Sequence, residues 1–212
     1  MKKIASKIVE ISAQFLSIIG HPIFWPLYVS ALYFDITNRY FLPQNKSFFL
    51  YYLFIVAIFI PLLFLAVLFY TKTLSGYQLN KPKERLLFSG IMAVVYFLIF
   101  KKLSRFHQFI ELYPFFLGIF LAILSLAVYN YFNRKPSIHA MALGGSLSFL
   151  LIWSYYTQID ILNILIGLII TSVFILGARL YLKAHNFKEI AGGFFIGCLM
   201  QLVAFYIIWL YY

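Results

Sequence analysis

The sequence predicts an all-α, polytopic membrane helix bundle. Six core transmembrane helices follow a proline-broken N-terminal segment, giving six or seven spans. Three observations carry that expectation. The 212 residues are 64% hydrophobic and only 11% charged, with a mean hydropathy of +0.92, whereas soluble domains carry about 25% charge. Apolar runs of the length a bilayer demands, about 20 residues, recur along the whole chain. These runs are continuous rather than alternating, which selects helices over the strands of a membrane barrel.

In order, the apolar segments fall at about 11 to 33, 48 to 70, 86 to 101, 113 to 132, 139 to 156, 161 to 182 and 190 to 211. The first contains "HPIFWPLY", which places His21, Pro22 and Pro26 in its middle. Each proline removes a backbone donor, so the helix is expected to kink or break there. His21 reads either as an interior histidine satisfied by its neighbours or as a functional group. The opening "MKKIASKIVEISAQFLSIIG" has the basic-then-apolar order of a signal peptide but no small-residue cleavage site. It is read as a retained first segment, and residues 1–212 as a single integral membrane domain. Aromatic residues gather near segment ends, as at Tyr51, Tyr52, Tyr155 and Tyr156, where a ring with a polar tip suits the bilayer interface.

Formal net charge is +11, from 17 Lys and Arg against six Asp and Glu. The cations are spread over the loops rather than gathered into a face with exposed aromatics. The implied partners are therefore anionic membrane lipids and a phosphorylated lipid substrate, with no nucleic acid. The single cysteine, Cys198, lies inside an apolar run, so neither a disulfide nor a thiol-based metal site is expected.

Counting crossings, the loops after the second, fourth and sixth segments emerge on one side of the membrane. Together they carry Lys81, Arg85, Lys135, Ser137, His139, Arg179, His185 and Glu189. Two histidines, several cations and a carboxylate on one face suit phosphoryl transfer. Arg and Lys stabilise the charge spread over the phosphate oxygens, one His attacks, and another protonates the leaving group. His185 and Glu189 are four positions apart. On a helix that spacing lets the carboxylate take one ring proton and leaves the other nitrogen as nucleophile.

Structural roles compete for the same residues. Asn186 can cap the last helix, with Glu189 reaching back to its N–H in a capping box. One carboxylate is not expected to serve fully as both cap and ring partner. Ser137 can likewise cap the helix beginning at Ile138, although the free N–H groups of a helix N-terminus also suit a phosphate. Two histidines without a spaced carboxylate cluster make a poor di-metal site, so no metal or cofactor is expected.

These stretches resemble the signature of the type 2 phosphatidic acid phosphatase (PAP2) superfamily. That signature reads Lys, six residues, Arg-Pro; then Pro-Ser-Gly-His; then Ser-Arg, five residues, His, three residues, Asp. "PSIH" at 136–139 matches the second element with Ile138 for Gly. "ARLYLKAHNFKE" at 178–189 matches the third with its spacing intact, Ala178 replacing Ser and Glu189 replacing Asp. The first element is weaker: Arg85 falls where the family has Arg if Gln78 stands for Lys, and Leu86 replaces Pro. Lys81 or Lys83 is then the substitute cation.

The resemblance is to bacterial-type members, and it implies a PAP2-like core over about 70–212 and a multi-pass inner-membrane protein. It also implies a lipid phosphate phosphatase, with His185 as a nucleophile forming phosphohistidine, Glu189 orienting it and His139 as general acid. Arg179, Arg85 and Ser137 are then phosphate ligands, with Lys135 and Lys81 beside them. A phosphotransferase of the same superfamily and an inactive scaffold or lipid-binding protein are the alternatives. A transporter is disfavoured, because the charges lie at segment ends.

Sidedness gives a conflict. The motif side, N-terminus included, holds twelve Lys and Arg and the other side five, which makes the motif side cytoplasmic by the positive-inside rule. The family resemblance implies the opposite face. A first segment that re-enters without crossing reconciles the two by moving Lys2, Lys3 and Lys7 to the other side.

Overall fold

The computed structural model describes residues 2–74, 81–103 and 107–211. Gln78 and Arg105 lie outside them. The described residues form helices and no strand. Nine α-helices run in the order α1 (Lys2–Ile19), α2 (Trp25–Ile36), α3 (Pro43–Leu53), α4 (Ile60–Tyr70), α5 (Pro82–Leu103), α6 (Tyr113–Tyr131), α7 (Ile138–Thr157), α8 (Leu162–Tyr181) and α9 (Phe187–Tyr211). They supply seven stretches long and apolar enough to cross a membrane, the first from α1 and α2 together and the second from α3 and α4. Most helix ends fall within a few residues of those expected. The third segment starts earlier, at Pro82, which puts Arg85 on a helix rather than in a loop.

The two prolines of the first segment end one helix and begin the next. Pro22 opens a 3-10 turn over Pro22–Phe24, and Pro26 stands in the first turn of α2, where a missing N–H costs nothing. The break leaves carbonyls at the end of α1 without helical partners, and other helices take them. His139 on α7 reaches Ser17 O (3.1 Å), Tyr28 on α2 reaches Ile19 O (3.3 Å), and Trp25 reaches Gly20 O (3.2 Å).

α2 crosses the bundle. The His21 ring lies 5.4 Å from that of His139, at the start of α7, and the Tyr33 ring lies 5.7 Å from that of Trp153, near its end. The 12-residue helix therefore runs beside α7 and in the same direction, over roughly 18 Å. At the far end Arg39 pairs with Glu111 (2.5 Å), which also accepts from Trp153 Nε1 (2.8 Å), and Lys46 Nζ donates to Phe34 O (3.1 Å). The two prolines break the helix, and α2 continues alongside α7, which favours seven spans over a re-entrant first segment. The start of α1 and the three motif-bearing loops lie on one side of the bundle, and the last turn of α9 on the other.

The second stretch contains a π-helical turn, Phe54–Phe59, just before Pro61. A proline ring displaces the carbonyl four residues earlier, and a wider turn absorbs that displacement. The buried core is an aromatic cluster that includes Tyr33, Phe34, Phe49, Phe109, Phe115, Phe116, Phe149 and Trp153. It fills the half of the bundle away from His139.

The tightest helix pair is α7 against α9, and glycines permit it. A Cβ on Gly197 would lie 2.1 Å from Met141 O, one on Gly144 2.3 Å from Phe194 O, and one on Gly193 2.4 Å from Ser137 O. Gly193 and Gly197 form a small-xxx-small face, the arrangement that lets membrane helices touch backbone to backbone.

Seven stretches long and apolar enough to cross predict chain ends on opposite faces. A reporter at Lys7 and another at the C-terminal end of α9 should therefore report different sides of the membrane. A common side would mean an even number of crossings.

Candidate functional site

α8 ends in a Schellman turn. Lys183 N–H bonds Leu180 O (3.0 Å) and Ala184 N–H bonds Arg179 O (3.1 Å), with Lys183 itself left-handed at φ 52°. The turn at Lys183 and Ala184 directly precedes His185 and Asn186. It redirects the chain so that His185 and Asn186 form the entry to α9.

Asn186 Oδ1 accepts from Glu189 N–H (2.9 Å), and Glu189 Oε2 accepts from Asn186 N–H (3.2 Å), a complete capping box. The same Oε2 lies 2.9 Å from His185 Nδ1. Cap and ring partner are therefore one oxygen, where the sequence suggested a choice between them. A carboxylate can only accept, so Nδ1 carries the proton, and Nε2 of the neutral ring keeps its lone pair.

The His185 side chain is only 8% exposed. Burial holds its pKa below the usual 6.5; the Arg179 and Lys135 charges push the same way, and Glu189 opposes them. The neutral ring is the favoured form near pH 7. A cavity of about 410 Å³ opens beside it, lined by Lys135, Leu180, Lys183, Ala184, His185, Asn186 and Glu189. Lys183, outside the residues picked out by the motifs, is thus a second cation on the cavity wall.

The second motif is docked on the third through the main chain. Ser137 N–H donates to Glu189 O (2.9 Å), and Ser137, fully buried, caps α7 through its Oγ with Ala140 N–H (3.4 Å). Gly193 leaves room for this, since its missing Cβ would meet the Ser137 backbone. Ile138, where the family has Gly, sits exposed at the first position of α7.

Arg179 and His139 stand back from the cavity, and both are tied to α1. Arg179 Nη1 donates to Ser17 Oγ (2.6 Å), and His139 Nε2 must donate to Ser17 O, because a carbonyl only accepts. Arg179 Nε is buried and without a partner among the described residues. His21 is satisfied locally, its Nδ1 accepting from Ile23 N–H (3.3 Å), which favours the interior-histidine reading.

Two expected ligands are not gathered here. Arg85 Nε donates to Asn130 Oδ1 (3.3 Å) at the end of α6, and Lys81 pairs with Glu84 (3.8 Å). Neither lines the cavity. The helix start at Pro82 accounts for this, because it fixes Lys81 and Glu84 one turn apart and sends Arg85 towards α6. Among the described residues no group of three His, Cys, Asp or Glu side chains is placed to hold a metal. Ser17, the partner of two motif residues, was missed by sequence reasoning, since no local pattern marks it.

The comparison with known families bears on α7 to α9 and the end of α6. Residues 125–211 match the PAP2 superfamily model. The match is consistent with a PAP2 superfamily member, and it takes in the second and third motif elements whole. The weak first element lies ahead of it. The PAP2 family suggests phosphatase or phosphotransferase activity. Neither the curated proteins nor the solved structures gave a match.

Two measurements check this geometry. A ring-nitrogen NMR titration should place the His185 pKa below 6.5, and Glu189→Gln should move it lower still, because both Glu189 contributions raise it. Gly193→Ala should lower stability by about 1–3 kcal/mol through overpacking against backbone that cannot swing aside. Gly192→Ala, whose Cβ would meet nothing within 4 Å, should leave the denaturing-detergent midpoint unchanged.

Proposed function

We propose that the protein is a membrane-embedded lipid phosphate phosphatase acting through a phosphohistidine. The observation that carries this reading is the His185–Glu189 pair, 2.9 Å apart, on a cavity flanked by Lys135 and Lys183. Glu189 holds the Nδ1 proton, so the Nε2 lone pair is free to attack phosphorus. The P–O bond to the lipid breaks as the P–N bond forms, and the departing alkoxide takes a proton from His139. Water then attacks phosphorus, giving a proton back to His139 as the P–N bond breaks, which releases inorganic phosphate and restores neutral His185. Lys135, Lys183 and the Arg179 guanidinium offset the charge that builds on the phosphoryl oxygens.

This assigns His185 as nucleophile, Glu189 as the residue that orients it and His139 as acid. Arg179 and Lys135 bind phosphate, with the Ser137 end of α7 beside them. Arg85 and Lys81 act at most from a distance, through Asn130 and Glu84. The lipid tail enters between helices while the headgroup meets the motif-bearing face of what is proposed to be a bacterial inner-membrane protein.

A second reading, a lipid-phosphate-binding protein without turnover, is favoured by one observation: His139 Nε2 is engaged by Ser17 O. On the enzymatic reading His139 donates through Nδ1–H of its imidazolium and keeps the Ser17 bond.

Purified protein offered diacylglycerol, prenyl and sphingoid phosphates should release inorganic phosphate from at least one of them. His185→Ala should abolish release, and His139→Ala should slow it by about 10²–10⁴-fold. Neutral His185 is required for attack, so the acid limb of kcat/KM should fall below pH 6.5. Wild type as inert as His185→Ala on the whole panel would favour binding without turnover.

A further inference from the structure

We propose that Ser17, on the N-terminal helix and outside every motif element, is a positioning residue that holds Arg179 with one edge of its guanidinium free for a phosphate. The proposal rests on the reading of Arg179 as a phosphate ligand. Arg179 and His139 are each given one side-chain partner, and both partners are atoms of Ser17: Oγ for Arg179 Nη1 at 2.6 Å and the carbonyl for His139 Nε2 at 3.1 Å. Ser17 lies 162 and 122 positions away from them in sequence and is itself 8% exposed. The contact is therefore built into the interior, where α1 packs on α8.

A guanidinium presents two edges that can grip an anion with paired N–H groups. Holding Nη1 occupies the end of the fork and leaves the Nε–Nη2 side. Nε on that side is buried and unpartnered among the described residues, and a buried charged donor without an acceptor is costly. An anionic oxygen would satisfy it.

Ser17 is also fixed more firmly than an ordinary helix-end serine. The break at Pro22 leaves its carbonyl without the helical bond that His21 N–H would make, since His21 N–H goes to Ile18 O instead. His139 supplies the missing donor, so the serine that aims Arg179 is held by the second motif. One residue of α1 thus couples an arginine of the third motif to a histidine of the second. It does so in a chain whose first motif places Arg85 elsewhere.

The test measures binding of inorganic phosphate to the full-length protein in lipid nanodiscs by calorimetry, for wild type, Ser17→Ala, Ser17→Thr and Arg179→Gln. Loss of a hydrogen bond that aims a charged group should weaken phosphate binding by roughly tenfold in Ser17→Ala at unchanged stoichiometry. Ser17→Thr, which restores the hydroxyl, should bind like wild type, and Arg179→Gln should not bind. Unchanged affinity in Ser17→Ala overturns the proposal. So does tighter binding, which would make Ser17 a competitor for Arg179, and so does reduced stoichiometry at unchanged affinity, which would mean only a loss of folded protein. A wild type that binds no phosphate overturns it together with the anion site. Binding as expected, with no phosphate released from any lipid phosphate, would remove the catalytic reading and leave this one standing.

Discussion

Helices α7 and α9 touch backbone to backbone, and the rest of the site depends on that contact. Side chains on both helices would hold the axes several ångströms further apart, at the 8–10 Å usual for packed helices. Glycines at 144, 193 and 197 remove that spacing. The main chain before α7 can then bond the first turn of α9 through Ser137 N–H and Glu189 O. Two motifs 39 or more positions apart in sequence are thereby fixed to each other by groups that cannot change rotamer. Lys135 reaches the cavity beside His185 for the same reason.

The N-terminal break follows a related rule. Away from water a carbonyl needs a protein donor, so a helix that stops inside a bundle must have its last acceptors taken by other groups. His139, Tyr28 and Trp25 do this for α1. His139 is consequently structural in one of its nitrogens whatever the other does. Loss of the ring would uncover the Ser17 carbonyl as well as remove a proton donor, so His139 variants need a folding control that His185 variants do not.

What the sequence made legible was local or periodic. Segment length and apolarity marked all seven stretches. Spacing alone marked the His185–Glu189 pair, the Asn186–Glu189 box and the Ser137 cap, because each joins residues three or four apart along a helix. The small-xxx-small spacing of Gly193 and Gly197 went unread, since it names no partner helix. Ser17 was not legible, since its importance comes entirely from residues more than a hundred positions away. Arg85 sits beside Asn130 at the end of α6, a neighbour that its motif spacing does not reveal. The path of the first segment was not legible either, because prolines report where a helix stops, not the direction in which the chain resumes.

One oxygen of Glu189 serves both the His185 ring and the start of α9. The imidazole is therefore oriented by a 25-residue rod rather than by a loop. His185 directly precedes that rod and Glu189 stands in its first turn, so a tilt of α9 would carry the ring and its carboxylate together. An event that draws Glu189 away from the ring would also uncap the first turn of the rod. The orientation of the imidazole and the start of the last helix are thus one structural unit.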